Sequence, residues 1–164
     1  KKNLKMYFSP PYFPIDIVSS LPNVKFLPFK QVQEKLLECC NLDSIALNHP
    51  GGSMGYKLSQ KGSSFIYLCD NEFEETQRNK LLAFAKNADV LVWDGMFTEK
   101  ELSEKKGWGH SSIEQAVEFN KKAKCKKVLI SHHAPDRKDQ ELDQIAKGLP
   151  ETFTLSYDEL EVEL

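Results

Sequence analysis

All four histidines of this 164-residue chain fall in short islands where a strand or helix gives way to a loop. The islands are Asn48-His49-Pro50-Gly51-Gly52, Gly107-Trp108-Gly109-His110-Ser111-Ser112 and Ser131-His132-His133. A further island, Tyr67-Leu68-Cys69-Asp70-Asn71-Glu72, sets an aspartate at the same kind of junction. The amphipathic segments between them hold no histidine. Binding and catalytic groups concentrate on loops that a rigid scaffold positions. The distribution therefore asks for a fold that brings several element ends to one rim of a sheet.

The pattern between the islands supplies such a scaffold. Leu4–Phe8 reads as a strand stopped by Ser9-Pro10-Pro11, since proline cannot donate to a ladder. Tyr12-Phe13-Pro14 leads into an irregular or helical turn ending near Leu21-Pro22, and 24–27 reads as a strand. The span from Val32 begins as a helix and ends as a strand over Asp43–Leu47 that runs into His49. Met54–Leu58 and Ser64–Cys69 form a hairpin whose Gly62 suits a positive φ. A helix over Phe73–Lys86 turns Leu81, Leu82 and Ala85 inward. A buried strand, Ala88–Trp93, ends at Asp94-Gly95. Thr98 and Glu101 form a capping box on a short helix reaching Lys105. Ser111 or Ser112 caps a helix to about Lys124, with Ile113, Ala116, Val117 and Asn120 on one face. Lys127–Ser131 is a strand that delivers His132. A helix over Asp139–Lys147 stops at Gly148 and Pro150, and strands at Phe153–Leu155 and Leu160–Leu164 close the chain. Strands and helices alternate, so the class is α/β.

Length fits one domain with a sizeable core. No apolar run approaches the roughly 18 to 20 residues that cross a bilayer, and no signal peptide opens the chain, so a cytoplasmic protein without membrane contact is expected. A net charge of −2 gives no electrostatic reason to expect long nucleic acid as the main partner. The four cysteines lack metal-site spacing and are expected as buried, reduced thiols. Lys1-Lys2-Asn3 opens the chain in place of a methionine, which is the expectation for a fragment or processed piece.

Taken singly, each candidate has a plain structural reading. His49 before Pro-Gly-Gly could be a surface loop residue, and Asp70 could cap the helix after it. His110 could be a loop residue near a capped helix. Asp94 could simply end its strand. Neighbours on a strand face opposite ways, so one of His132 and His133 could be packed and the other solvated. Together they account for every histidine, and histidine with carboxylate suits zinc, manganese or iron, with a carboxylate able to bridge two ions.

As a set, these islands together with Ala88–Thr98 resemble the C-terminal half of the metallo-β-lactamase-fold hydrolases, in the branch of ribonuclease Z and the small phosphodiesterases. The order and spacing agree, and Tyr157–Leu164 looks like the closing strand of that fold. The resemblance implies a metallo-β-lactamase-like αββα sandwich, present here as its C-terminal part, with residues 1–164 a domain truncated on its N-terminal side. It implies His49, Asp70 and His132 as metal ligands, Asp70 bridging, and His132 preferred to His133. It implies His110 as the proton donor to the leaving oxygen, oriented by Asp94. It also implies zinc or manganese, one or two ions, and a metal-bound hydroxide that attacks a phosphodiester.

The HxHxDH motif of that family does not occur in these 164 residues. Two ions are therefore expected only if that motif is supplied from elsewhere. A small diester is expected as substrate ahead of RNA or tRNA ends, because the charge is slightly negative and no long basic arm is visible. A non-catalytic lactamase-like interaction module is the reading of another class, with a homodimer formed through an exposed half-sheet.

Overall fold

A computed structural model describes residues 2–14, 23 and 25–164. Two units divide the chain, Lys1–Lys35 and Leu36–Leu164. The first holds helix α1 (Lys2–Tyr7) and most of helix α2 (Phe29–Leu36). α1 stands where a strand was expected over Leu4–Phe8. Residues 25–28 have no regular structure, which corrects the strand expected over 24–27, and Val24 lies outside the described residues. A strand is stable only beside a partner, and among the described residues neither segment has one. A helical turn satisfies its backbone internally. The turn expected to end near Leu21-Pro22 lies outside the described residues.

The second unit carries one six-stranded sheet in sequential order: β1 (Asn41–Leu47), β2 (Ser53–Gln60), β3 (Ser63–Leu68), β4 (Val90–Asp94), β5 (Lys127–Ser131) and β6 (Phe153–Leu155). β1, β2 and β3 are antiparallel, and β3 to β6 are parallel. The β2–β3 turn sits on Lys61 (φ 49°) and Gly62 (φ 90°), both left-handed, as a tight hairpin requires. Parallel neighbours need crossovers, and the helices supply them. α3 (Glu75–Ala85) joins β3 to β4, α4 (Glu99–Leu102) and α5 (Ile113–Ala123) join β4 to β5, and α6 (Asp139–Lys147) joins β5 to β6.

The strand pleat divides the apolar residues between two faces. Ile66, Leu68, Leu91, Trp93, Val128 and Ile130 meet Leu81 and Ala85 of α3 and Ala116, Phe119 and Ala123 of α5 in the main core. Phe73, Trp93 and Phe119 form its aromatic centre, with ring centroids 5.0–5.6 Å apart. On the other face Cys69, Val90, Val92 and Leu129 are covered by Phe65, Leu160 and Val162. Met54, Leu58 and Tyr67 stay exposed. Leu160–Leu164 forms no strand, correcting the expected closing strand. Its alternation is real, but it lays Leu160 and Val162 on the sheet face instead of along an edge.

All four cysteines are free, as expected, but only Cys69 and Cys125 are buried, and Cys39 is exposed. Among the described residues no helix is long and apolar enough to cross a membrane.

Candidate functional site

Two antiparallel pairings in succession make β1 point the same way as β3, and β4 and β5 run parallel to β3. The residues following these strands therefore emerge at one rim of the sheet. In an open α/β sheet that rim, outside the carboxyl ends, is where ligands bind. His49 follows β1, Asp70 follows β3, Asp94 ends β4, and His132 follows β5. His110 comes from the loop before α5. That loop is drawn back to the rim by paired backbone bonds, Phe97 N–H to Ser111 O (3.2 Å) and Ile113 N–H to Phe97 O (3.0 Å).

All five candidates meet there. Asp70 Oδ1 lies 3.8 Å from His49 Nε2 and 3.6 Å from His132 Nε2. Two donors each bound at about 2.0–2.2 Å can stand at most about 4.4 Å apart on one ion. The donor chemistry and spacing thus suit a divalent ion held by Asp70 with His49, His132 or both. The donor atoms of His49, Asp70 and His110 lie within 4.8 Å of one another, and so do those of Asp94, His110 and His132. Asp70 (φ 57°) and His132 (φ 61°) both hold left-handed backbone. Such conformations cost energy and gather at functional sites. Gly51 N–H donates to His49 Nδ1 at 3.2 Å, which leaves the neutral ring's proton on Nε2. Holding an ion at Nε2 would require the other tautomer, with the proton on Nδ1 and the Gly51 bond given up.

Asp94 is fully buried and faces His110 Nδ1 at 2.9 Å. A carboxylate only accepts, so Nδ1 carries the proton and Nε2 is left for chemistry. The backbone N–H groups of Asn71 (3.3 Å), Met96 (3.3 Å) and Ser111 (3.4 Å) also donate to this carboxylate, so its charge is solvated by dipoles and imidazole. The ring of His110 stacks on that of His132 at 4.8 Å and meets His49 edge-on at 5.7 Å. His133 turns away, its Nε2 3.0 Å from Ser156 O, so His132 is the member of the pair at the site.

Three supporting residues escaped sequence reasoning. Asn48 N–H donates to Asn71 Oδ1 (3.0 Å), Ser111 Oγ donates to Asn71 O, and Ser111 Oγ accepts from Phe73 N–H (3.1 Å). The buried Glu72 carboxylate accepts from Gly107 N–H and Gly109 N–H, both at 2.9 Å. Two of these lie in the Asp70 island, but nothing in an Asp-Asn-Glu triplet distinguishes a buried tether from a helix-capping turn.

Burial, then the charge of Asp94, pushes the Cys69 thiol up to about 12. Burial and the neighbouring Cys69 push the Tyr67 phenol up as well, with Asp70 and Asp94 adding to it. Both shifts favour the protonated form of each group.

Residues 19–133 match the β-lactamase superfamily domain. A ribonuclease Z from Treponema denticola is 32% identical over 122 residues, covering 70% of this chain and 36% of that protein. One from Thermococcus sibiricus is 33% identical over 92 residues, 56% of this chain and 28% of that protein. The chain thus spans roughly a third of the length of these curated relatives. Human tRNase Z, short form, superposes with a TM-score of 0.59 at 21% identity, covering 75% of this chain and 42% of that one. The metallo-β-lactamase fold protein YhfI from Bacillus subtilis superposes with a TM-score of 0.57 at 18% identity, covering 70% of this chain and 45% of that one.

Proposed function

Because this chain belongs to the β-lactamase superfamily, whose domain its residues 19–133 match, we propose that it forms part of a metal-dependent phosphodiester hydrolase acting on RNA. The observation that carries the reading is the meeting of His49, Asp70, His132 and the Asp94–His110 pair at one rim. The curated relatives named ribonuclease Z weigh toward RNA over the small diester expected from net charge. The activity belongs to the complete protein, since the chain spans about a third of these relatives.

In this reading His49, Asp70 and His132 hold one or two divalent ions, with zinc or manganese suited to the donor set. Such ions, when bound, activate water near neutral pH and neutralise charge building on the phosphate. His110 does the proton work. With Nδ1–H committed to Asp94, the protonated ring presents a second proton on Nε2, and this proton passes to the departing alkoxide oxygen. Asp94 stabilises the imidazolium before transfer and holds the ring plane afterwards.

The test is hydrolysis by the complete protein with a metal count beside it. His110→Ala should lower turnover of an RNA diester by about 10²- to 10⁴-fold while metal content measured by elemental analysis stays the same. Asp70→Ala should lower metal content itself. Loss of metal in His110→Ala would make His110 a ligand and reassign the proton donor. Cleavage of small diesters with RNA untouched would return the substrate to the small class. A folded wild-type protein that hydrolyses neither would favour the interaction module.

A further inference from the structure

We propose that Glu72 is the positioning residue of this site: its carboxylate fixes the Gly107–His110 loop and thereby sets where His110 presents Nε2. The inference rests on the role of His110 proposed above. Each oxygen of Glu72 takes one backbone N–H, from Gly107 and from Gly109, both at 2.9 Å, so the two bonds bracket Trp108 and end one residue short of His110.

Other bonds hold the residues around the two glycines: Trp108 N–H donates to Lys105 O at 3.2 Å, Ser111 O accepts from Phe97 N–H at 3.2 Å, and His110 Nδ1 faces Asp94 at 2.9 Å. The Gly107 and Gly109 amides themselves go to Glu72. Gly107 (φ 84°) and Gly109 (φ 90°) are left-handed, where glycine is mobile unless something restrains it. Trp108 is 56% exposed, with Lys105 over its ring at 4.2 Å and the buried Phe97 edge-on at 6.4 Å, so its side chain holds the loop only from the surface. Glu72 is 8% exposed, and among the described residues no lysine or arginine pairs with it. A buried carboxylate opposed only by neutral amides is costly unless those bonds are well made.

The backbone of Glu72 is fixed in its turn. Its N–H donates to Asn48 O at 2.7 Å, and its carbonyl accepts from Asn48 Nδ2 at 3.1 Å, beside His49. Asp70, two residues back, faces His49 and His132. One three-residue segment therefore joins the candidate ligands to the loop of the candidate proton donor. A shift of that loop would move His110 relative to Asp70, while the metal-facing side chains of His49, Asp70 and His132 come from other segments.

The test uses Glu72→Gln in the complete protein, because glutamine keeps the shape but can accept from only one of the two amides. Three readouts are compared with wild type. Amide hydrogen exchange at Gly107 and Gly109 should become at least about tenfold faster at one or both positions, as a lost tether requires. Turnover of a diester with an alkoxide leaving group should fall by about 10- to 100-fold, as for other residues that orient a functional histidine. A p-nitrophenyl diester, whose leaving group needs no proton, should change less than about threefold, with metal content unaltered.

Unchanged exchange at both glycines would overturn the tether. Equal losses on both diesters together with lost metal would make Glu72 a general structural residue and overturn positioning. If the wild-type protein cleaves neither diester, the hydrolase reading fails separately. Glu72 is then judged by the exchange rates and by the cross-peak between the His110 and His132 rings, which should weaken in Glu72→Gln and whose persistence would overturn the inference.

Discussion

Asp70 and His132 adopt left-handed backbone that their residue types enter more readily than most, and both do so where a strand ends at the candidate site. Gly109 makes the complementary point. A Cβ built there would stand 2.3 Å from His49 Cδ2 and 2.8 Å from Pro50 Cδ, and its φ is +90°. Gly109→Ala should therefore push the His49 ring off the rim while leaving the core intact. Zinc titration by calorimetry should show affinity weakened by about 10- to 100-fold, as for disturbed supporting residues at metal sites. Unchanged affinity would mean that His49 is no ligand.

The elements that sequence patterning located most closely are those with local chemistry at their ends. Ser112 caps α5 by accepting from Gln115 N–H at 3.1 Å, with Gln115 Oε1 accepting from Ser112 N–H at 2.9 Å. Ser112→Ala should cost about 1 kcal/mol in urea unfolding without changing the slope. Thr98 and Glu101 cap α4 in the same way, and Glu101 also binds Arg137 Nη2 at 2.6 Å. The Arg137 guanidinium, followed by bonds from Thr98, holds the Glu101 carboxyl down to about 2, against an ordinary value of 4.5. Because the folded value is the lower one, this pair stabilises the fold fully above about pH 4.5 and is lost as pH falls toward 2. Acid unfolding of Glu101→Gln should be less steep than that of wild type through that window, and matching slopes would remove the pair from the account.

In the second unit as a whole, one helical layer covers one sheet face, and the rim at the strand ends gathers the polar groups. An ion that binds only the folded site adds stability by mass action, about 2.7 kcal/mol at a concentration one hundred times its Kd. Zinc should therefore raise the Tm of the wild-type protein, chelator should reverse the rise, and Asp70→Ala should abolish it. An equal rise in Asp70→Ala would place the ion elsewhere.

Much of the second unit follows from sequence alone, since its hairpin turn, capping boxes and helix stop are interactions over a few residues. Lys61-Gly62, Thr98 with Glu101, and Gly148 after α6 each report their own geometry, while the choice of Ser112 over Ser111 as the α5 cap came from the structure. The positions of the five candidate residues were legible as well, because each lies at an element end. Tertiary structure alone decided the rest. Leu4–Phe8 and Leu160–Leu164 have strand-like composition, yet a strand exists only where a partner is offered, and pairing is a long-range matter. The same holds for Glu72, whose acceptors' donors lie 35 and 37 residues away. Residue type determined which groups could bind a cation or carry a proton; the parallel stacking of strand ends determined that they meet.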